Sequence, residues 1–182
     1  GWDRKAVVPR PSTAGITVDA DTGETLPHQR DEQTCYVYAG TPGMGYSTVV
    51  FKAAEEKPKT NGSPGIRAER DLLENDLVLV RLGDRGQIVS LFDKRAQRET
   101  FPGEGNRLLL WEDRPYEWDA WDISHYYSEG SPEQPTLIER RLLTARGVTA
   151  RLQQTLRIGV STITQVISLN RDSPVVTIQN TV

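Results

Sequence analysis

The chain has 182 residues, 26% of them charged and 36% hydrophobic, with a formal net charge of −3 and a pI near 5.5. That is enough for one ordinary domain, or a small one joined to a medium one. The acidic balance offers no basic face for nucleic acid, no apolar run has the length of a membrane span, and the N-terminal GWDRKAVVPRP lacks the hydrophobic centre of a signal peptide.

In chain order, three textures follow one another. Residues 1–52 alternate short apolar runs with turn residues: AVV, GITVDADTGETLP, TCYVYAG and TPGMGYSTVVF. Asp21-Thr22-Gly23 has the composition of a hairpin turn, because glycine tolerates the positive φ such turns demand. Cys35 is the single cysteine, so no internal disulfide forms; set among apolar and aromatic neighbours, it reads as a buried, inert thiol. Residues 53–67 (AAEEKPKTNGSPGIR) are charged and then rich in Gly, Pro, Ser and Asn, the composition of a linker or exposed loop.

Residues 68–182 form the larger unit. NDLVLVRLGDRGQIVSLFD carries two apolar runs around Gly83-Asp84-Arg85-Gly86, a hairpin signal. RLLLW (residues 107–111), VTARLQQTLRIGV, STITQVISLN and SPVVTIQNTV are rich in Val, Ile, Thr and Leu and read as further strands. IERRLLTARGVTARLQQTLRI also approaches helical spacing at Leu142, Leu143 and Ala145, but Gly147 followed by Val148 and Thr149 argues against one long helix. Short strands with turn chemistry between them predict an all-β sandwich preceded by a small β-region. The strand pattern VVTIQNTV stops at Val182 without a turn or polar tail, as expected of a piece of a longer chain.

One window stands apart. WEDRPYEWDAWDISHYY (residues 111–127) holds three of the four tryptophans, three of the six tyrosines, one of the two histidines and five carboxylates. Large aromatic faces beside acids suit a sugar-binding wall or a carboxylate pair for glycoside chemistry, but composition alone favours core or domain-interface packing, the commoner use of neighbouring tryptophans in a β-protein. Other chemistries lack their parts. His28 and His125 are far apart, no HxxxH, CxxC or HExxH spacing occurs, and no GxSxG elbow is present. GTPGMG (residues 40–45) lacks the GK[ST] ending of a phosphate loop and reads as a proline turn. The sequence therefore predicts no catalytic residue and no metal ligand set in this chain.

A longer ordered pattern carries more information. LENDLVLVRLGDRGQIVSLFDKRAQRE (residues 73–99) followed by GNRLLLWEDRPYEWDAWDISHYY (residues 105–127) resembles the C-terminal β-domain of glycoside hydrolase family 38 α-mannosidases. Within that family it is most similar to the branch of cytosolic, vacuolar and many bacterial enzymes. GETLPHQ (residues 23–29) and AGTPGMGYSTVVF (residues 39–51) resemble elements of the small β-region that precedes this domain.

The resemblance implies a supersandwich similar to that of galactose mutarotase and a cytoplasmic location. It also implies an N-terminal catalytic barrel and a helical bundle elsewhere in the same polypeptide. That barrel would hold an aspartate nucleophile and a zinc ion bound by His and Asp, so this chain itself would need no cofactor. The substrate class implied is a mannosyl oligosaccharide, and a homo-oligomer is compatible with such a domain. In the Golgi and lysosomal branch the corresponding loop carries Gly-Ala-Tyr, whose tyrosine enters the mannose site. Asp119-Ala120-Trp121 matches that pattern, but an indole has an N–H donor and no acceptor, so the hydroxyl's role does not transfer.

The expected rim residues are Trp118 and Trp121 as an apolar wall, and Asp119 and Asp122 as acceptors. Arg114, paired with one of the acids, would hold the loop, and Tyr126 would sit beside it. Two alternatives from other classes are a free-standing carbohydrate-binding module and a structural or oligomerisation domain.

Overall fold

The computed structural model describes residues 4–12, 15–30, 33–53, 65–114, 117–118, 121 and 123–182. Among these, β-strands and the turns between them account for nearly all regular structure; the one helical turn is a 3-10 turn at His125–Glu129. The chain is all-β, as its alternating patterns predict.

The first region contains two antiparallel sheets. β1 (Arg4–Pro11), β4 (Thr34–Thr41) and β3 (His28–Arg30) form one, in the order β1-β4-β3, and β2 (Ile16–Asp19) pairs with β5 (Val49–Lys52). β4 buries alternate side chains, Cys35, Val37 and Ala39, which is the period-2 signature of a half-buried strand. The expected turn at Asp21-Thr22-Gly23 is present. The Asp19 carboxylate accepts the Asp21 and Thr22 amides at 2.9 Å each, and Gly23 takes a φ of 72°.

The larger unit is two antiparallel meanders facing one another. β6 (Ile66–Glu69), β7 (Leu72–Asn75), β8 (Val78–Leu82), β9 (Ile88–Asp93) and β10 (Arg98–Glu99) form a five-stranded sheet. β11 (Thr136–Thr144), β12 (Thr149–Ile158), β13 (Ser161–Asn170) and β14 (Val176–Thr181) form a four-stranded one. Ile66, Ala68, Leu73, Val78, Val80, Leu82 and Ile88 from the first sheet pack on Ala150, Leu152, Ile167 and Leu169 from the second. Each fully buried Leu or Ile there contributes on the order of 2 kcal/mol by removal from water. This is the β-sandwich core.

Two details depart from the pattern-based reading. Ile66 and Arg67, placed by composition in the connecting stretch, are the first residues of β6, and Ile66 is buried in the core. The Gly/Pro/Ser texture ends at Gly65, so the strand starts there. Residues 107–111 form no strand. Only Leu110 pairs, through a lone bridge to Glu133, because the segment crosses one end of the sandwich instead of joining either meander. The helical alternative for residues 138–158 is absent: β11 and β12 pair as an antiparallel hairpin through Gly147.

Polar side chains fix the frame where apolar packing cannot. Asn75, 2% exposed, uses its whole amide. Its Nδ2 donates to Asn170 O and Ser173 O at 2.8 and 2.7 Å, and its Oδ1 accepts from the Leu77 and Val78 amides. A buried amide with every group satisfied ties β7 of one sheet to the β13–β14 turn of the other. The first region docks on the sandwich by a similar device. Gln29 Oε1 accepts the amides of Val148 (3.0 Å) and Thr149 (3.2 Å), so closely that a Cβ at Gly147 would overlap it. Arg151 Nη1 donates to the Tyr36 hydroxyl at 2.9 Å, and the Tyr38 hydroxyl donates to the Asp172 carboxylate.

Candidate functional site: an exposed aromatic loop

The aromatic window leaves the sandwich at Leu110 and returns at Glu133. The two residues exchange backbone hydrogen bonds, Leu110 N to Glu133 O at 3.0 Å and Glu133 N to Leu110 O at 2.8 Å. This bridge closes the base of the excursion spanning residues 111–132. Nearest the base, Trp111 is half-buried and meets the ring of Tyr127 edge-on, with centroids 5.5 Å apart at 87°. Such edge-to-face pairs are favoured by the ring quadrupoles. The 3-10 turn carries His125, whose ring lies 4.0 Å from that of Tyr126.

Farther out the loop turns its apolar groups to solvent. Trp121 is 92% exposed and Trp118 71%; Ile123 and Tyr126 are exposed as well. The Trp121 amide donates to Trp118 O at 2.8 Å, which closes a tight turn. Trp118 holds that turn with a φ of 65°, a left-handed conformation unfavourable for a bulky L-residue. Two exposed indoles, one on a strained backbone, add nothing to this chain's own core. Packing in this chain's own core is therefore not how Trp118 and Trp121 are placed; the domain-interface alternative stands beside the sugar-binding one.

The remaining expected rim residues fall as follows. Arg114 pairs with Glu112, Nη2 to Oε1 at 2.6 Å, with both side chains exposed. A pair two residues apart in full solvent adds little stability. Asp119 and Asp122 lie outside the described residues. Tyr126 stands exposed against His125. The structure thus brings Trp118 and Trp121 together in one turn and leaves Arg114 near the base with its own partner.

The described residues do not furnish a zinc site. Among them no three His, Cys, Asp or Glu side chains converge. His125 stacks on Tyr126, while His28 lies in the first region with Nδ1 3.1 Å from Leu26 O. Beside the loop base a shallow cleft is lined by Arg85, Gln87, Glu104, Arg107, Leu108 and Gln134. Its carboxylate is already engaged: Glu104 accepts from Gln87 Nε2 at 3.0 Å and from Arg85 Nη2 at 3.1 Å, which holds it below the usual range. Arg107 also approaches Glu104, at 3.8 Å, so one carboxylate is shared by two guanidinium groups.

Sequence reasoning missed two residues at the loop base. Glu133 Oε1 accepts the Gly159 amide at 2.7 Å, and Gly159 sits against Leu110. The Gly-Val pair between TLRI and STIT signals a two-residue hairpin, but nothing in the sequence links that hairpin to residue 133.

Residues 73–182 match the family profile described as the glycosyl hydrolases family 38 C-terminal domain. The match begins inside β7 and covers β8 to β14 and the aromatic loop, while β6 precedes it. The chain is 31% identical over 93 residues to Alpha-mannosidase G of Dictyostelium discoideum, over 44% of this chain and 9% of that protein. It is 30% identical over 93 residues to Alpha-mannosidase 2C1 of Homo sapiens, over 48% of this chain and 9% of that protein. In fold it is similar to the crystal structure of an alpha-mannosidase from Enterococcus faecalis V583. The TM-score is 0.51 at 13% identity, over 95% of this chain and 28% of that one. The aligned part is thus a small share of each of these proteins, while more than half of this chain lies within the family match. The chain belongs to glycosyl hydrolase family 38, through that family's C-terminal domain.

Proposed function

We propose that this chain is the non-catalytic β-domain portion of a zinc-dependent, retaining α-mannosidase that releases terminal α-mannosyl residues from oligosaccharides. Its aromatic loop forms part of the active-site rim or of the contact with the catalytic barrel. The nucleophile and the zinc belong to that barrel, which together with a helical bundle lies in the same cytoplasmic polypeptide. This chain supplies surface instead. An indole face suits the C–H face of a pyranose, and its N–H can donate to a sugar hydroxyl. Closing such a wall over a site also expels water from it.

One observation carries the reading: Trp118 and Trp121 are exposed together in a strained turn, where a surface outside this chain would cover them. The test is Trp121→Ala in the full-length polypeptide, assayed on an aryl α-mannoside. The expected result is a loss in kcat/KM of about tenfold or more, as for a removed substrate-positioning contact. Wild-type kinetics would leave only an interface role. The 182-residue chain alone is expected to hydrolyse nothing; turnover by it overturns the proposal. Indole fluorescence that responds to mannose in that chain alone would favour a carbohydrate-binding module.

A further inference from the structure

Three segments distant in sequence meet at the base of the aromatic loop. Leu110 begins the excursion, Glu133 ends it, and Gly159 belongs to the turn between β12 and β13. Ile158 pairs with Ser161, so that turn is a two-residue hairpin with glycine, φ 55°, at its first central position. A tight hairpin leaves the amide of that first position without a ladder partner. Glu133 provides one: its Oε1 lies 2.7 Å from Gly159 N. The same hairpin is packed against the other end of the loop, since a Cβ on Gly159 would fall 2.9 Å from Leu110 Cδ2.

We propose that Glu133 is a positioning residue, which clasps the base of the aromatic loop to the β12–β13 hairpin and so fixes the direction in which Trp118 and Trp121 are presented. The Leu110–Glu133 bridge contributes only two backbone bonds at an exposed point, where a lone bridge frays readily. The carboxylate adds a third bond, strengthened by its charge. It anchors to β12 and β13, whose side chains Leu152, Leu156, Ile167 and Leu169 form the middle of the core. The described residues beyond the base, Trp118, Trp121 and Ile123, are exposed, so the orientation of the indoles is inherited from the base. Glu133 touches no reacting group in this scheme and acts only through the loop.

The clasp rests on the proposed role of the loop, and the experiment separates the two. Glu133→Ala, Glu133→Gln and Trp121→Ala are made in the full-length polypeptide and assayed on an aryl α-mannoside. The two Glu133 variants are also made in the 182-residue chain and digested with chymotrypsin under native conditions, with cleavage at Trp118, Trp121 and Tyr126 followed. Glu133→Ala is expected to lower kcat/KM by about tenfold and to speed loop cleavage, without change in melting temperature. Glu133→Gln keeps an acceptor at the same place and is expected to restore both. If Trp121→Ala loses activity while Glu133→Ala does not, the clasp is overturned and the loop's role stands. Equal losses in the Ala and Gln variants also overturn it, because the acceptor would then be irrelevant. If neither Trp121→Ala nor Glu133→Ala loses activity, the rim role fails and only the interface role is left. Cleavage alone then decides the clasp: faster in Ala and normal in Gln upholds it, and equal rates sink it.

Discussion

Glu74 shows how a single residue sets the response to acid. Burial pushes its carboxyl up. Hydrogen bonds from Lys94 (2.6 Å) and Arg67 (2.5 Å) together outweigh that push, and the net shift is downward. Lys94 also donates to the Asn75 backbone carbonyl at 2.6 Å, so the ion pair is joined to the residue whose side chain links the two sheets. A carboxylate depressed in the folded state contributes stability above its unfolded value, and that stability is lost as pH falls through the folded one. Glu104, Asp19 and Asp93 are depressed too. Hydrogen bonds lead in each case: from Gln87, from the Thr22 amide and from the Ala96 amide respectively. Urea midpoints should therefore fall as pH drops below about 4. Glu74→Gln should flatten part of that fall while lowering the midpoint at neutral pH. An acid limb identical to wild type would show that the bridge carries no linkage. Glu74, Asn75 and Lys94 were visible as part of an ordered motif, but their roles were not. A motif names the residues, whereas the amide's partners at Asn170 and Ser173 come from the other sheet.

At the scale of elements, the four-stranded sheet carries a polar stripe across an otherwise apolar inner face. Register aligns Arg140 with Gln154, Gln154 with Gln165 and Gln165 with Asn180. Arg140 donates to Gln154 Oε1 at 3.1 and 3.0 Å, to Gly83 O at 2.6 Å, and to the Asp71 carboxylate. Gln154 Nε2 donates to Gly86 O and to Gln165 Oε1, and Asn106 closes the chain on Gln165. The stripe pins the sheet to the β8–β9 turn. A one-residue slip of β12 would replace Gln154 with Gln153 or Thr155, whose side chains face outward, and would strand a buried guanidinium. Gln154→Leu should thus cost roughly 1–3 kcal/mol, as for buried donors of a charged group left without their neutral acceptor. Gln154→Leu with Arg140→Met should recover much of that loss, because the guanidinium donors left without an acceptor are removed too. Strictly additive losses in urea denaturation would argue that the two side chains act independently. Strand runs were legible here because alternation survives in VTARLQQTLRI and STITQVISLN. RLLLW misled because local apolarity does not reveal whether a sheet edge is available to pair with. The aromatic loop was legible as a composition, yet its anchor was not, since Leu110, Glu133 and Gly159 come together only through the fold.

For the whole molecule, the question is how firmly the first region is joined to the sandwich. Among the described residues, polar contacts spanning the junction include Gln29 to the Val148 and Thr149 amides, Tyr36 to Arg151, and Tyr38 to Asp172. Gln29 alone satisfies two backbone donors, so losing it leaves both amides without that acceptor at a part-buried position. Cys35 offers a direct reading of the consequence. It lies in β4 of the first region, is 0% exposed, and is the only cysteine, so a thiol reagent can reach it only when that region opens. Local opening and global unfolding have separate free energies, and labelling follows whichever is cheaper. Gln29→Ala should speed Cys35 labelling by about tenfold or more, the equivalent of roughly 1.4 kcal/mol in the opening equilibrium. Amide exchange in β12 and β13 should change far less. Gln154→Leu provides the contrast, because it weakens the sandwich and should accelerate labelling only as far as global stability falls. If Gln29→Ala speeds labelling and sandwich exchange alike, the two parts unfold as one unit and the Gln29 latch does not govern a separate opening.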